Sequence, residues 1–427
     1  LLEGLAMDAA GMRAFVERPE RFGPILRLFG GSQPLSDLLI HRPSLMLDPA
    51  LDRALARERT LSAHVSALRD RVRRCRSFAE ALASLRRYQQ GELLLTGLKD
   101  VNRQITIRAV RRALSDLAEA SVRGAWAAAA ARLRREGGER PSPMAVLGLG
   151  RLGYREMDYG SDLDLVFVYD SAEDDAHTHA NACTFATFVV EALDTITREG
   201  PLYAVDSRLR PFGSEGELAQ SQRTLVAYLE GPAGVWEMQS YLKARPVAGD
   251  LRFGDRVVRR AEQAILERAS RQDPAPEIRS MRERLMEAAG AGGEDLKSGR
   301  GGTHAVQFAL HYLQLSRHVA SPHGKSTARL MRHLRDMDVL DEKSYTALYR
   351  GERFLRRMEH QLRLLHGRSV TRVPGSTDRL AEVARGLDYR GPAGKAVAKM
   401  LRDLEATRRA VEDAFDSVVA PESPRRH

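Results

Sequence analysis

The chain has 427 residues, 43% of them apolar and 29% charged, with a formal net charge of +10 and an isoelectric point near 9.8. That length allows two or three domains with ample cores, and no apolar run approaches the ~18 residues that a membrane span requires. Two cysteines, Cys75 and Cys183, stand far apart without a Cys-x-x-Cys pair, which argues against a disulfide framework or a zinc site and fits a reducing cytoplasm. The chain opens Leu1-Leu-Glu with no initiator methionine, as a piece of a longer protein would. Residues 1–138 carry Leu, Ala and Arg at helical spacing, as in Leu82-Ala-Ser-Leu-Arg-Arg-Tyr88 and on to Leu95, and predict an N-terminal helical domain that Pro141-Ser-Pro143 ends. Residues 139–250 read as an α/β core, with apolar β runs at 144–149, 165–169 and 202–209 alternating with a helix from His177 to Arg198. Residues 251–427 return to helical spacing and predict a C-terminal helical bundle. Within it we expect a flexible loop at Gly290-Ala-Gly-Gly293, a helix end between Leu362 and Pro374, and a frayed tail from Pro421 to His427.

The chemistry concentrates in the middle segment. Gly148-Leu-Gly-Arg-Leu-Gly153 has the spacing of a dinucleotide-binding turn, but that turn should open a long helix and meet an acid roughly 20 residues on, at the end of a second strand. Here the second strand begins with the acids. Asp162 and Asp164 stand two apart at the head of Leu165-Val-Phe-Val-Tyr169, so both side chains share one face of the strand. Like charges held so close repel strongly in a poorly hydrated site unless a cation lies between them. Hard oxygen ligands with open positions favour magnesium or manganese, and the expected use is two-metal phosphoryl or nucleotidyl transfer. A third carboxylate from a neighbouring strand is needed, and Asp206, in Leu202-Tyr-Ala-Val-Asp-Ser-Arg-Leu-Arg-Pro211, is the natural candidate. The glycine turn would direct backbone amides at a helix start towards a triphosphate. Gly150-Arg151 followed by the Asp-x-Asp strand is close to the pattern of the polymerase-beta-like nucleotidyltransferases, so the expected fold is α+β, a mixed sheet with helices inside a mostly helical chain.

A longer series of motifs narrows this. Gly148-x-Gly150-Arg151-x-Gly153-x-x-Glu156 leads to Ser161-Asp162-Leu163-Asp164-Leu165, then to Val205-Asp206-x-Arg208-Leu209-Arg210-Pro211-x-Gly213-x-x-Gly216. Trp236-Glu237, Lys243-Ala-Arg245, Asp295-Leu-Lys297 and Gly301-Gly302 follow in order. Asp-x-Asp alone is a weak signal, but the ordered series, over about residues 145 to 310, resembles the glutamine synthetase adenylyltransferase family. The resemblance implies transfer of AMP from ATP to a tyrosine of glutamine synthetase, or phosphorolytic removal of that AMP by a sister domain on the same polypeptide. It implies that Asp162, Asp164 and Asp206 bind two magnesium ions, with manganese as an alternative, and that Gly150, Arg151 and Ser161 surround the phosphates. Arg208, Arg210, Lys243, Arg245 and Lys297 would supply positive charge to triphosphate and pyrophosphate, although any single arginine is more often a solvated or salt-bridged surface residue. Glutamine synthetase is the implied protein partner and a PII signalling protein a further one. Phe22-Gly-Pro-Ile-Leu-Arg-Leu-Phe-Gly30 and Leu38-Leu-Ile-His-Arg-Pro43 look like the opening of the second, adenylylating half of the family, while Phe354-Leu-Arg-Arg-Met-Glu-His360 resembles pieces of either half.

One departure stands out. After Gly301-Gly302 the family pattern is acidic-apolar-acidic-Phe, whereas this chain reads Thr303-His304-Ala305-Val306-Gln307-Phe308, with both acids replaced. If those positions only support the site, the three primary acids suffice; if not, the domain is a catalytically degenerate scaffold. His304 itself is expected on a helix surface. A PII-type or RNA nucleotidyltransferase is the remaining alternative, supported only by the basic charge. Sixty of the 67 basic residues are arginine, spread along helical faces as in Arg71-Val-Arg-Arg-Cys-Arg76, and aromatics make up 6% of the chain. That pattern reads as solvated helix faces, so nucleic acid is not the expected partner.

Overall fold

The computed structural model describes residues 21–43, 55, 58–139, 143–171, 175–290, 294–367 and 369–420. Leu1-Leu-Glu, Pro141 and Ser142, most of the predicted loop at 290–293 and the tail from Pro421 lie outside them. Among the described residues the protein is mostly helical with a small mixed sheet of five strands, an α+β nucleotidyltransferase core. It condenses into two compact units. The first draws on Leu1–Ser221, Pro246–Gly254 and Arg363–Ser369, the second on Gln222–Arg245, Asp255–Leu362 and Val370–His427.

In the first unit the helices α1 (Phe22–Gly31), α2 (Gln33–His41), α3 (Leu61–Arg74), α4 (Phe78–Val101) and α5 (Ile107–Arg135) precede the sheet. Thr60, Ser77 and Thr106 cap α3, α4 and α5, each side-chain oxygen accepting from the backbone N–H three residues on. Along α5, Val110, Leu114, Leu117, Ala118, Val122, Ala125 and Ala129 are buried at three- and four-residue spacing, which makes one continuous apolar stripe. Gly124 sits in that stripe where a Cβ would come within 2.7 Å of Leu85 Cδ2, so the glycine lets α5 approach α4 closely.

The sheet runs β3-β2-β1-β5, built from β1 (Met144–Gly148), β2 (Leu163–Tyr169), β3 (Val205–Asp206), β4 (Ala219–Ser221) and β5 (Arg245–Gly249). Between β1 and β2 lies a single turn, α6 (Gly150–Gly153), and between β2 and β3 the helix α7 (Ala176–Asp194). β1 pairs antiparallel with β2, from Met144 opposite Tyr169 to Gly148 opposite Leu165. β3 and β4 both run parallel to β2 and lie one after the other along it, β3 beside Leu163–Asp164 and β4 beside Phe167–Tyr169. Every residue of β1 and β2 is buried except Asp164, the signature of strands covered on both faces. Trp126 of α5 meets Phe185 of α7 edge to face at 4.6 Å between centroids.

Two details depart from the expected elements for visible reasons. The helix expected to reach Arg198 stops at Asp194, where the buried Arg86 of α4 donates to the carbonyls of Ala192, Thr195 and Gly200 and so satisfies its last turn. The strand expected over 202–209 contracts to two residues because Arg208 turns back onto Asp206. Strands β4 and β5 carry no clear sequence signal: the first is three residues long, and the second contains Pro246, which an edge strand tolerates.

The second unit is helical. It contains α8 (Gln222–Glu230), α9 (Val235–Tyr241), α11 (Ala275–Ala289), α12 (Thr303–Ser316), α13 (Thr327–Asp336), α15 (Thr377–Gly386) and α16 (Ala393–Val418), with most of α10 (Leu251–Ala269) and α14 (Glu342–His366). The helix end expected between Leu362 and Pro374 falls at His366.

Candidate active site

The three acids come together at one end of β2. Asp162 is exposed just ahead of the strand, Leu163 is buried, and Asp164 is half-buried, so the two carboxylates lie on one face as their spacing requires. Asp206 of β3 is the register partner of Asp164, which sets the two residues on adjacent strands roughly 4.8 Å apart. The glycine turn closes on the same place. Gly150 has φ +52°, and a Cβ there would overlap the Asp164 carboxylate, so only glycine allows the turn and the acid to touch. The Leu149 N–H donates to the Asp164 carbonyl at 2.9 Å, a main-chain link that ties the turn to the strand. The turn itself is α6, a single turn of four residues, so it offers local N–H groups without the field of a long helix.

Arg208 balances part of this charge. Its backbone N–H, Nε and Nη2 all donate to the Asp206 carboxylate, at 2.9, 3.0 and 2.6 Å, although the side chain is 76% exposed. Hydrogen bonding from Arg208 holds the Asp206 carboxyl below its usual range, against the upward pull of burial. The same guanidinium feels Asp162 and Asp164, and its own pKa rises in response, first through Asp206. Arg210 adds a second, more distant positive charge to Asp206.

Other expected phosphate ligands sit inside the scaffold. Ser161 is buried, and its Oγ accepts from the Asp158 N–H and from Arg363 Nη1, both at 3.1 Å. Arg210 is spent on its own loop: Nε donates to Gly216 O at 2.7 Å, Nη1 to Ser207 O at 3.0 Å, and Nη2 to Ser214 O at 3.0 Å. That loop also holds Phe212, an exposed non-glycine residue at φ +66°. Arg151 is half-buried in α6.

The remaining basic candidates, Lys243, Arg245 and Lys297, belong to the second unit. Lys243 Nζ donates to Gln307 Oε1 at 2.9 Å, Arg245 is half-buried, and Lys297 lies in a turn whose backbone N–H donates to Asp295 Oδ1 at 2.8 Å. Asp295 also accepts from Ser298 N–H and Thr371 Oγ1, so this motif aspartate organises the turn that leads into α12. Gly301, at φ +62°, fits where a Cβ would overlap the Arg408 carbonyl, and its N–H donates to Glu412. Ala305 is 2% exposed, so the small side chain fills a packed position. His304 is half-buried on α12: it stacks on Phe308 at 5.5 Å, and its pKa falls well below the ordinary value, first through burial, then through Lys297 and Lys243.

Sequence reasoning missed the residues that grip the segment between α6 and β2. Arg155, at φ +56°, pairs with Asp116 and Glu119 of α5; the Met157 N–H donates to Ser115 Oγ at 3.1 Å; Arg111 faces Asp158 at 3.7 Å; and Tyr159 Oη donates to Asp100 at 2.9 Å. The only signal available was a set of acids and a serine on the apolar side of a helix, where polar groups need partners.

The family model for glutamate-ammonia ligase adenylyltransferase matches residues 22–260, and that for GlnD PII-uridylyltransferase matches residues 276–419. The chain is 29% identical over 414 residues to a bifunctional glutamine synthetase adenylyltransferase/adenylyl-removing enzyme from Thioalkalivibrio sulfidiphilus, covering 93% of this chain and 42% of that protein. It is 32% identical over 333 residues to the protein of the same description from Streptomyces coelicolor, covering 76% of this chain and 33% of that one. A relative from Nitrosococcus oceani is 29% identical over 417 residues, 92% of this chain and 42% of its own length. The chain thus spans about two fifths of the length of these relatives, or less.

Proposed function

Because the chain belongs to the glutamate-ammonia ligase adenylyltransferase family, we propose that it is a nucleotidyltransferase unit that transfers AMP from ATP to a tyrosine hydroxyl of glutamine synthetase. The observation that carries this reading is the meeting of Gly150, Asp164 and Asp206 at one end of the sheet, with Asp162 on the same strand face. The resemblance of residues 22–43 to the opening of the adenylylating half favours that direction over phosphorolytic removal. A PII-type signalling protein is the proposed regulatory partner, supported by the match of residues 276–419.

The acids fit hard divalent cations in donor chemistry, since all three offer carboxylate oxygens. Asp162, Asp164 and Asp206 would hold two magnesium ions, which supply charge stabilisation to the triphosphate and acidify the attacking hydroxyl. The chain's own residues do the rest. Gly150 permits the backbone of the turn to approach the phosphates. Arg208, hydrogen-bonded to Asp206 and open to solvent, would exchange that carboxylate for phosphate oxygens. The tyrosine oxygen forms its bond to the α-phosphorus as the bond to the departing pyrophosphate oxygen breaks. Asp206, on the strand beside Asp164, would orient the attacking hydroxyl and accept its proton once Arg208 has left it for the phosphates.

A catalytically silent regulatory unit is the second reading, favoured by the buried Ala305 and the neutral Gln307. Incubation with α-labelled ATP, magnesium and glutamine synthetase separates the two, because only the first puts label on tyrosine. Asp164→Asn should lower the rate by ~10³-fold or more, several kcal/mol of lost charge stabilisation, while the circular dichroism spectrum stays unchanged. Absence of label with the unaltered chain, or an unaltered rate in Asp164→Asn, would overturn the proposal.

A further inference from the structure

At the opposite end of β2 from the acids, the first unit holds another cluster of ligating side chains that the proposed reaction does not use. His179 and Cys183 stand one turn apart on the same face of α7, and Glu217 comes from the chain two residues ahead of β4. Cys183 Sγ is 3.7 Å from His179 Nε2 and 3.9 Å from Glu217 Oε2, and the three ligand atoms all lie within 4.8 Å of one another. The other ring nitrogen of the histidine, Nδ1, is hydrogen-bonded at 2.9 Å to the hydroxyl of the buried Tyr169, which aims Nε2 at the sulfur. An outer partner of this kind is what orients metal-ligating histidines.

The separations are close to those found around a single ion. Ligand bonds of about 2.0–2.3 Å at tetrahedral angles separate the donor atoms by roughly 3.3–3.8 Å. The two observed separations involving sulfur stand at or just beyond that span, and the thiol's remaining contact, to Ala219 O at 3.8 Å, is a weak one that metal binding can replace. Thiolate, imidazole and carboxylate together select a borderline-soft cation, unlike the all-carboxylate set at the other end of the strand. From Asp164 to Tyr169 is five residues of strand, roughly 17 Å, so the two clusters are separate sites.

We propose that His179, Cys183 and Glu217 bind one divalent cation of the zinc class, with the fourth position open to water. Binding releases the Cys183 thiol proton to solvent and ties α7 to the chain that emerges from the Ser207–Gly216 loop, so it braces the loop that carries Arg208 and Arg210. The sequence obscured this site because its ligands are a His-x-x-x-Cys pair on a helix and a glutamate 34 residues further on, not a pair of cysteines.

The test uses the full chain, stripped with chelator and titrated with cobalt(II), whose bond to a thiolate gives a charge-transfer band in the near ultraviolet. One equivalent should raise the band, zinc should displace it, and excess magnesium should leave it unchanged. Cys183→Ser should abolish the band and Cys75→Ser keep it. Tyr169→Phe, which removes only the orienting hydroxyl, should weaken affinity by ~10- to 100-fold. In the unaltered chain, zinc should protect Cys183 but not Cys75 from alkylation by iodoacetamide, a measurement that needs no variant to fold. The proposal is overturned if no band forms, if the band survives Cys183→Ser, or if zinc leaves the alkylation of Cys183 unchanged.

Discussion

The two segments that border the acids are held in opposite ways. Tyr154–Ser161, which delivers Asp162, is gripped from outside: Asp116 and Glu119 hold Arg155, Ser115 holds Met157, Arg111 faces Asp158, Asp100 accepts from Tyr159, and Arg363 donates to Ser161. In Ser207–Gly216, which follows Asp206, the two arginines bond locally, Arg210 within the loop and Arg208 back onto Asp206. The first arrangement makes Asp162 and Asp164 part of a rigid platform built by α4 and α5. The second leaves Asp206 flanked by a local clasp with an exposed arginine that can change partners without disturbing the core. In the proposed reaction the platform would hold the metal ligands and the clasp would supply the phosphate contact.

Four experiments break or sharpen this contrast. Gly150→Ala attacks the joint between turn and acid. It puts a Cβ at φ +52° into the Asp164 carboxylate, and nucleotidyl transfer should fall by about 10²- to 10³-fold in a labelling assay as the carboxylate is pushed out of place. The platform can also be loosened by acid. His64 of α3, buried against Tyr88 of α4, has a pKa lowered to about 4 by burial and then by Arg59, whereas an unfolded imidazole titrates near 6.5. The unfolded chain binds the proton more tightly, so the contribution is complete above about pH 6.5 and is lost as pH falls towards about 4. On the order of 2–3 kcal/mol is at stake, and His64→Asn should flatten that part of the urea-unfolding profile.

Arg155→Ala removes the partner of two buried acids and should cost about 2 kcal/mol of unfolding free energy, with a loss of activity larger than the loss of fold. Arg210→Ala should cost only about 1 kcal/mol, because its hydrogen bonds stay within one exposed loop, while native-state hydrogen exchange rises at Ser207–Gly216 alone. Equal stability losses for Arg155→Ala and Arg210→Ala would erase the distinction between platform and clasp.

Much of the architecture was legible because it rests on local periodicity. The i, i+2 spacing of Asp162 and Asp164 at the head of an apolar run placed both acids correctly, and the helices on either side followed from their three- and four-residue spacing. Interactions over long separations were not legible. Arg363 lies 202 residues from Ser161 and Arg86 lies 106 residues from Ala192, and no local pattern marks either pairing. The same blindness hides that Ser161 and Arg210 bond within the scaffold, since an arginine that closes a loop and one that waits for a ligand look alike in sequence. Strand β4 was invisible because three residues carry no period.

By itself, the sequence determined which residues could do chemistry: a glycine turn, two acids on one strand face, a third on a later strand, and the alternation of helical and β periods that sets the fold class. These are properties of neighbouring residues, and backbone geometry links neighbours rigidly. Only the tertiary structure decided that Asp206 stands beside Asp164, that Gly150 has to lack a side chain because a carboxylate fills the space, and that helices far upstream hold the first acid in place. It also decided that a histidine, a cysteine and a glutamate meet behind the sheet. Such contacts depend on how separate elements pack, and packing responds to the shape and polarity of the whole core, which no short stretch of sequence contains.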